Sequence, residues 1–493
     1  MKKLVQNYKK EIKIISLIFL FKVIILSILP LTGDEAYFIK WAKTLSAGYY
    51  DHPPMIGWTI HFMSYISDNI VFFRMLSVVT TFIVAYTIFK IGELYIEKSR
   101  AFFIALLFLA SPVDILLSLI TNDIVLVLFG SLGAMFLLFS MEKTNNKILY
   151  ATLSGIFLGF AFLSKYFAVF LMVSLLLFVL FTYKTKAIKN VLIVTFFILL
   201  AVAQNLWFNY NSCWNNIMFN FLIRTSSQYS LESVTNYFIM VIYLFSPWGI
   251  WFLFKDRKLF KLNKLNKLIL FVLVLILGLF FVVSLKNELG LHWFILFLPY
   301  MYLAFAYLSE ETLQKLFKYN YIFTFIHVAL LLVILFLPIS LFKDAKYYSD
   351  IVYATNPKKI CNELKKYNNL YTFGYTTASM LSYSCKRDIK MVFSGSKFGR
   401  LDDKLLDVRT LNGKNIAVFD NGKIVKKDFR GVCSDVKVDK FNVMGAKFYV
   451  GECKNFNYKK YKQTYLKSIK EKYYNIPKWL PVGKCYFTDR YFK

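Results

Sequence analysis

Apolar runs of about 18 or more residues, the length that crosses the hydrocarbon core of a bilayer, recur along the first two thirds of the chain. They lie at about 12–30, 70–91, 101–119, 123–141, 150–164, 166–183, 191–209, 236–254, 267–285, 290–308 and 320–342. This pattern predicts about eleven membrane helices, with neighbouring runs close enough to merge or divide. Composition agrees: the 493 residues are 57% hydrophobic and 19% aromatic, against about 45–50% apolar residues in soluble domains. The expected fold is therefore mainly α, a polytopic membrane helix bundle over residues 1–342. After Lys343 the hydropathy collapses. Short β-rich runs, Leu370–Tyr375, Ile389–Phe393 and Asn415–Phe419, then alternate with helix-like pieces and with turn signals at Asn412-Gly413 and Asn421-Gly422. Residues 343–493 are expected to form a small α/β extramembrane domain.

Sixty Lys and Arg against 29 Asp and Glu give a formal net charge of +31. In a chain built of membrane-length runs, the partner of that charge is anionic lipid rather than nucleic acid. The basic residues also carry orientation. Lys2, Lys3, Lys9, Lys10, Lys98, Arg100, Lys143, Lys147, Lys184, Lys186, Lys189, Lys255, Arg257, Lys258, Lys261 and Lys264 fall on alternate connections. The opposite connections are nearly free of Lys and Arg, so the positive-inside bias predicts a cytoplasmic amino terminus and an extracytoplasmic 343–493. The first run is followed by Pro30-Leu31-Thr32-Gly33-Asp34 rather than a small-residue cleavage site, which predicts a retained first span. Residues 31–69 are too polar to span, but Trp41, Leu45, Tyr49, Tyr50, Met55, Ile56 and Trp58 suit an outer interface.

All six cysteines lie on the predicted outside, Cys213 in a loop and five in the terminal domain, where disulfides form. Cys361 with Cys385 and Cys433 with Cys453 are the expected pairs, although spacing does not fix connectivity.

The chemistry-bearing residues cluster on the same face. Asp34 and Glu35 follow the first span directly; they read either as the start of a helix, where acids complement the dipole, or as a general base or substrate ligand. In Gly48-Tyr-Tyr-Asp-His-Pro-Pro54, two prolines lock the backbone after an acid and an imidazole. This is either a plain turn or a site; Asp51 and His52 alone are weak candidates for a divalent metal, since they show no established ligand spacing. Further along, Asp123 opens a span, Lys165 ends one, and Arg224, His292 and Trp293 sit in outside loops. Capping, snorkelling, pairing with an acid and interfacial anchoring are the structural alternatives for these.

These stretches in this order resemble the polyprenyl-phosphate-sugar-dependent glycosyltransferases of the GT-C fold. The resemblance is to the protein-mannosyltransferase-like family that includes the bacterial aminoarabinose and galacturonic acid transferases acting on lipopolysaccharide. Asp34-Glu35 with the Tyr49-Tyr-Asp-His-Pro-Pro54 string carries it, joined by Thr121-Asn-Asp123, Leu163-Ser-Lys-Tyr166, Trp207-Phe-Asn-Tyr-Asn-Ser-Cys-Trp214 running on to Phe219-Asn-Phe221 and Arg224, His292-Trp293, and Tyr375 to Tyr383. The resemblance implies an inverting transfer in which an acceptor oxygen attacks the anomeric carbon of a sugar on undecaprenyl phosphate. It implies catalytic roles for Asp34, Glu35 and Asp123, donor-phosphate binding by Lys165, His52 and Arg224, and substrate binding by Tyr37, Tyr50, Asp51, Asn209, Trp214, His292 and Trp293. No cofactor is implied with certainty, and a divalent metal is left open.

The expected partners are a polyprenyl-phosphate sugar donor, an envelope glycolipid or protein acceptor, and membrane lipids. The expected location is a bacterial inner membrane with a periplasmic active site. Two departures bear on the donor. Asp51-His52-Pro53 stands where the aminoarabinose transferases carry Glu-Lys-Pro, and Tyr37 stands where they carry a basic residue. The competing functions are protein O-glycosylation and, from another class, a transporter or flippase; against the latter, the acids gather at one face and no inverted repeat is visible.

Overall fold

The structure is a computed structural model that describes residues 2–116, 121–223, 229–394 and 401–493. Among these, six helices are long and apolar enough to cross a membrane: Ile70–Gly92, Asp123–Glu142, Lys147–Ser164, Ala168–Tyr210, Lys264–Ser284 and Glu310–Phe336. Two pairs bent by 77°, Lys9–Ile28 with Gly33–Lys43 and Leu231–Leu244 with Pro247–Lys255, raise the number to eight if each is one span. The shortfall from eleven runs has local causes. Runs 166–183 and 191–209 lie in one 43-residue stretch, Ala168–Tyr210, which Lys184 (φ 52°) and the 3-10 turn Lys184–Ala187 divide into the helices Ala168–Tyr183 and Ile188–Tyr210. In the run at 101–119 the described residues form the helices Lys98–Leu109 and Pro112–Leu116. The run at 290–308 breaks into short 3-10 and α pieces around Leu298–Leu303. Its Phe297, Leu298, Met301, Tyr302 and Leu303 are wholly buried, so apolarity there fills the interior, as short apolar runs commonly do.

The chain divides into two compact units, Met1–Ile28 with Ile66–Asn205 and Ser226–Leu335, and Leu29–Tyr65 with Leu206–Thr225 and Phe336–Lys493. The first is helical. Its central hairpin, Asn122–Glu142 against Lys147–Ser164, turns at Asn146, which takes the left-handed conformation (φ 59°) that asparagine tolerates. Small residues let the two helices approach: the Ser154 hydroxyl donates to the Gly133 carbonyl at 2.8 Å, and Leu158 lies against Gly133. Because the hairpin turn is short and the helices are of similar length, Asp123 at the start of one returns beside Lys165 at the end of the other.

The second unit contains a five-stranded sheet of order β2-β1-β3-β5-β4. Its strands are β1 Leu370–Thr372, β2 Lys390–Met391, β3 Ile416–Asp420, β4 Asp435–Val443 and β5 Ala446–Lys454. β1 pairs in parallel with β2 and β3, while β5 pairs antiparallel with β3 and β4. Alternation along β3 feeds two cores: Ile416 and Val418 face one cluster, Ala417 and Phe419 the other. The sheet is thus covered on both sides, as the α/β expectation required. The first three strands occupy the runs read from the sequence. The β4–β5 hairpin is an addition, closed by Met444 and Gly445, both at positive φ (51° and 83°), the arrangement whose twist matches a two-residue hairpin.

Disulfides join Cys361 to Cys385 and Cys433 to Cys453, as expected, and the remaining pair is Cys213 with Cys485. Cys433 and Cys453 close a short loop across the hairpin, with a sequence separation of 20. The double substitution Cys433→Ala/Cys453→Ala is expected to cost about 3 kcal/mol, read as a lowered unfolding midpoint under oxidising conditions.

Candidate functional site

The first loop builds its acid from a helix start. Thr32 caps the helix Gly33–Lys43, and Glu35 completes a capping box: its backbone N–H donates to the Thr32 hydroxyl, and its carboxylate accepts from the Thr32 backbone at 3.2 Å. Glu35 is wholly buried in that task. Asp34, one residue earlier, is exposed in the first helical turn, where the helix dipole favours negative charge. The Tyr375 hydroxyl donates to Asp34 Oδ1 across a long 3.4 Å, and the Tyr375 ring meets the buried Tyr37 ring edge-on at 4.7 Å.

The helix Tyr375–Cys385 reaches this position because Gly33 has no side chain. A Cβ there would stand 2.7 Å from Thr376 Cβ and 2.8 Å from its Cγ2. Gly33→Ala is therefore expected to destabilise by about 1–3 kcal/mol through overpacking, seen in thermal unfolding.

The Tyr49–Pro54 loop is held from three directions. Trp41 and Tyr49 stack nearly parallel at 3.9 Å, and the Tyr49 hydroxyl donates to the Trp41 carbonyl at 3.1 Å. Burial pushes that hydroxyl well above the usual tyrosine range, so it stays a donor. The Tyr49 N–H bonds the His52 carbonyl at 3.0 Å, while the His52 ring lies 6.4 Å from Trp41 and 6.5 Å from Phe38. From below, the Asn216 amide donates to the Tyr49 carbonyl at 2.7 Å, and the Asn220 amide donates to the Asp51 carbonyl at 3.2 Å. Asp51 presents Oδ1 buried and without a hydrogen-bond partner among the described residues. Most buried polar atoms have a partner, so an acceptor left in this way is an exception.

Asn216 escapes the sequence reasoning as a site residue, and Asn220 enters it only within the Phe219-Asn-Phe221 stretch, without a role; their spacing of four in an apolar stretch is the signal, since it aims both amides at one loop. The predicted substrate ligands nearby serve the same scaffold. Tyr50 is buried against Phe219 at 4.8 Å. Asn209, wholly buried, accepts the Ile217 N–H at its side-chain oxygen, and Trp214 donates its indole N–H to the Pro481 carbonyl at 2.7 Å. Gly48 lies against the Phe208 ring, where a Cβ would come within 2.5 Å.

In the helical unit, Lys165 Nζ meets Asp123 Oδ1 at 2.7 Å, with side-chain exposures of 11% and 8%. Neither charge is tolerable alone at that depth. Lys165 also lies 5.3 Å over the Phe167 ring, which contacts Trp293 at 4.6 Å, with His292 next to it. The structure thus brings Asp123, Lys165, Trp293 and His292 to one end of this unit. Arg224 lies outside the described residues. Among the described residues no group of three or more His, Cys, Asp or Glu side chains is set to hold a metal; Asp51 and His52 remain two adjacent donors.

Comparison with known proteins places this geometry in context. The family model described as dolichyl-phosphate-mannose-protein mannosyltransferase matches residues 51–208. Lipid A galacturonosyltransferase RgtD from Rhizobium johnstonii is 27% identical over 182 residues, which cover 36% of this chain and 38% of that relative. The match therefore spans well under half of the relative's length. Two crystal structures of ArnT from Cupriavidus metallidurans superpose on 90% of this chain and 98% of theirs. The apo form does so with a TM-score of 0.62 at 12% identity, the form bound to undecaprenyl phosphate with 0.63 at 13%. The chain has the GT-C fold, and the family model and the relative agree with the resemblance read from its motifs.

Proposed function

We propose that this multi-pass membrane protein of the GT-C fold is a glycosyltransferase that moves a sugar from a polyprenyl phosphate to an envelope glycolipid of the lipid A or lipopolysaccharide-core class, on the extracytoplasmic face. The observation that carries the proposal is the exposed Asp34, set at a helix start and in contact with Tyr375, on a fold shared with a protein that binds undecaprenyl phosphate. The acceptor hydroxyl oxygen attacks the anomeric carbon as its proton passes to Asp34. The bond from that carbon to the phosphate oxygen breaks, and its electron pair leaves with the lipid phosphate. Lys165 stabilises the growing negative charge, exchanging its partner Asp123 in part for phosphate. Asp51, with its unpartnered Oδ1, orients a sugar hydroxyl. The galacturonosyltransferase relative supports a lipid A acceptor, and the mannosyltransferase family match supports protein as the second candidate.

The test uses purified protein, a labelled undecaprenyl phosphate sugar, and lipid A or polypeptide acceptors in parallel. Label moving to lipid A with release of undecaprenyl phosphate is the expected result. Label moving to polypeptide alone favours the second reading, and a donor that crosses liposome bilayers unchanged contradicts both.

Asn216→Ala is expected to loosen the Tyr49–Pro54 loop and lower turnover about tenfold with fold retained, since a misplaced binding group costs rate out of proportion to its own contacts. Unchanged kinetics in this variant would contradict the positioning role.

A further inference from the structure

A cavity in the helical unit lies away from the Asp123–Lys165 pair. It has a volume of about 620 Å³ and is lined by Ser140, Lys147, Tyr183, Lys186, Lys189 and Asn190 among others. It sits at the turn end of the hairpin Asn122–Glu142/Lys147–Ser164, whereas the Asp123–Lys165 pair closes the opposite end. The 18 residues of Lys147–Ser164 separate the two by about 27 Å, close to a bilayer's hydrocarbon thickness.

The charge at this end is unbalanced. Between Asp123 and Glu232 the sequence contains a single acid, Glu142. Glu142 is already engaged, accepting from Tyr183 and forming an ion pair with Lys264 at 2.9 Å. Among the described residues no salt bridge reaches Lys147, Lys186 or Lys189, and all three are exposed. The wall behind them is fixed: the buried Asn190 donates its amide to the Ser140 carbonyl at 2.9 Å. The surroundings are apolar and exposed. Ile148 and Leu149 border the cavity at 53% exposure each, and Ile188, Leu192, Phe196 and Leu199 form an exposed stripe running down the helix that supplies Lys189.

We propose that this pocket is a binding site for an anionic phospholipid, whose phosphate is held by Lys147, Lys186 and Lys189 and whose acyl chains lie on the apolar stripe. A cavity with three unneutralised lysines attracts an anion, and basic pockets between membrane helices suit phospholipid headgroups. A soluble phosphate would satisfy the lysines but leave the apolar rim uncovered; a phospholipid covers both. The site is independent of the transfer reaction, so its test does not read activity.

The experiment is native mass spectrometry of the purified full-length protein titrated with phosphatidylglycerol or phosphatidylcholine. It is run on wild type, on K147Q/K186Q/K189Q and on the corresponding triple arginine variant. Wild type and the arginine variant are expected to retain phosphatidylglycerol over phosphatidylcholine, and the glutamine variant to lose about a hundredfold in apparent affinity. Inorganic phosphate at equal concentration is expected not to displace the lipid. Should the triple glutamine variant unfold at a lower temperature, K186Q and K189Q singly carry the comparison, each with about a fivefold loss. Equal retention of both lipids, equal retention by wild type and the glutamine variants, or displacement by inorganic phosphate would overturn the proposal.

Discussion

Asp34→Asn leaves the protein folded and able to bind its lipid-phosphate donor, and lowers the transfer rate by between about a hundredfold and ten-thousandfold, the usual contribution of a positioned base. The fold is spared because Asp34 is exposed and the helix start depends instead on Thr32 and Glu35, whose mutual bonds the substitution leaves intact. Tyr375→Phe removes only the hydroxyl that reaches Asp34, so it is expected to lower turnover about tenfold. Full activity of Asp34→Asn at normal expression would remove the acid from the mechanism.

Lys165→Met has the second large effect, and it divides between stability and binding. The substitution leaves the Asp123 carboxylate 8% exposed and without its cation, a loss expected to cost about 3–5 kcal/mol. Adding Asp123→Asn removes the stranded charge and is expected to restore most of the unfolding midpoint. It does not restore the donor: the apparent affinity for the lipid-phosphate sugar stays weakened in both variants, because phosphate recognition needs the ammonium and not the pair. A double variant that regains stability and donor affinity together would make Lys165 a structural residue only.

How much of this was readable from the residues depends on how local each signal is. Thr32 to Glu35 is a local pattern, so the helix start and the acid within it follow from four consecutive residues. Asp123 and Lys165 are 42 positions apart, and each is ambiguous alone between a cap or snorkel and a site. Their pairing follows only once two helices of similar length share a short turn at Asn146. Asn216 and Asn220 hold the Tyr49–Pro54 loop through backbone carbonyls, and an amide that reads a carbonyl leaves no trace in composition. The hairpin Asp435–Lys454 turns on Met444-Gly445, and a methionine at positive φ gives none of the Asn-Gly signal that marks such turns.

Hydropathy also counts apolar residues without distinguishing lipid-facing from interior ones. The run at 290–308 is apolar and buried by protein, one of the reasons that fewer span-length helices than eleven stand among the described residues. The pair Cys213–Cys485, 272 residues apart, joins segments that only the fold brings together.

The central claim is sugar transfer to an envelope glycolipid with Asp34 as the acid–base group. Mass spectrometry of lipid A, core oligosaccharide and envelope glycoproteins from cells with the wild-type gene, a deletion and the Asp34→Asn allele tests it most directly. The predicted result is a sugar-sized mass on lipid A or core that is present with the wild type and missing from both altered strains, with glycoproteins unchanged. Identical lipid A, core and glycoprotein masses in all three strains would contradict it.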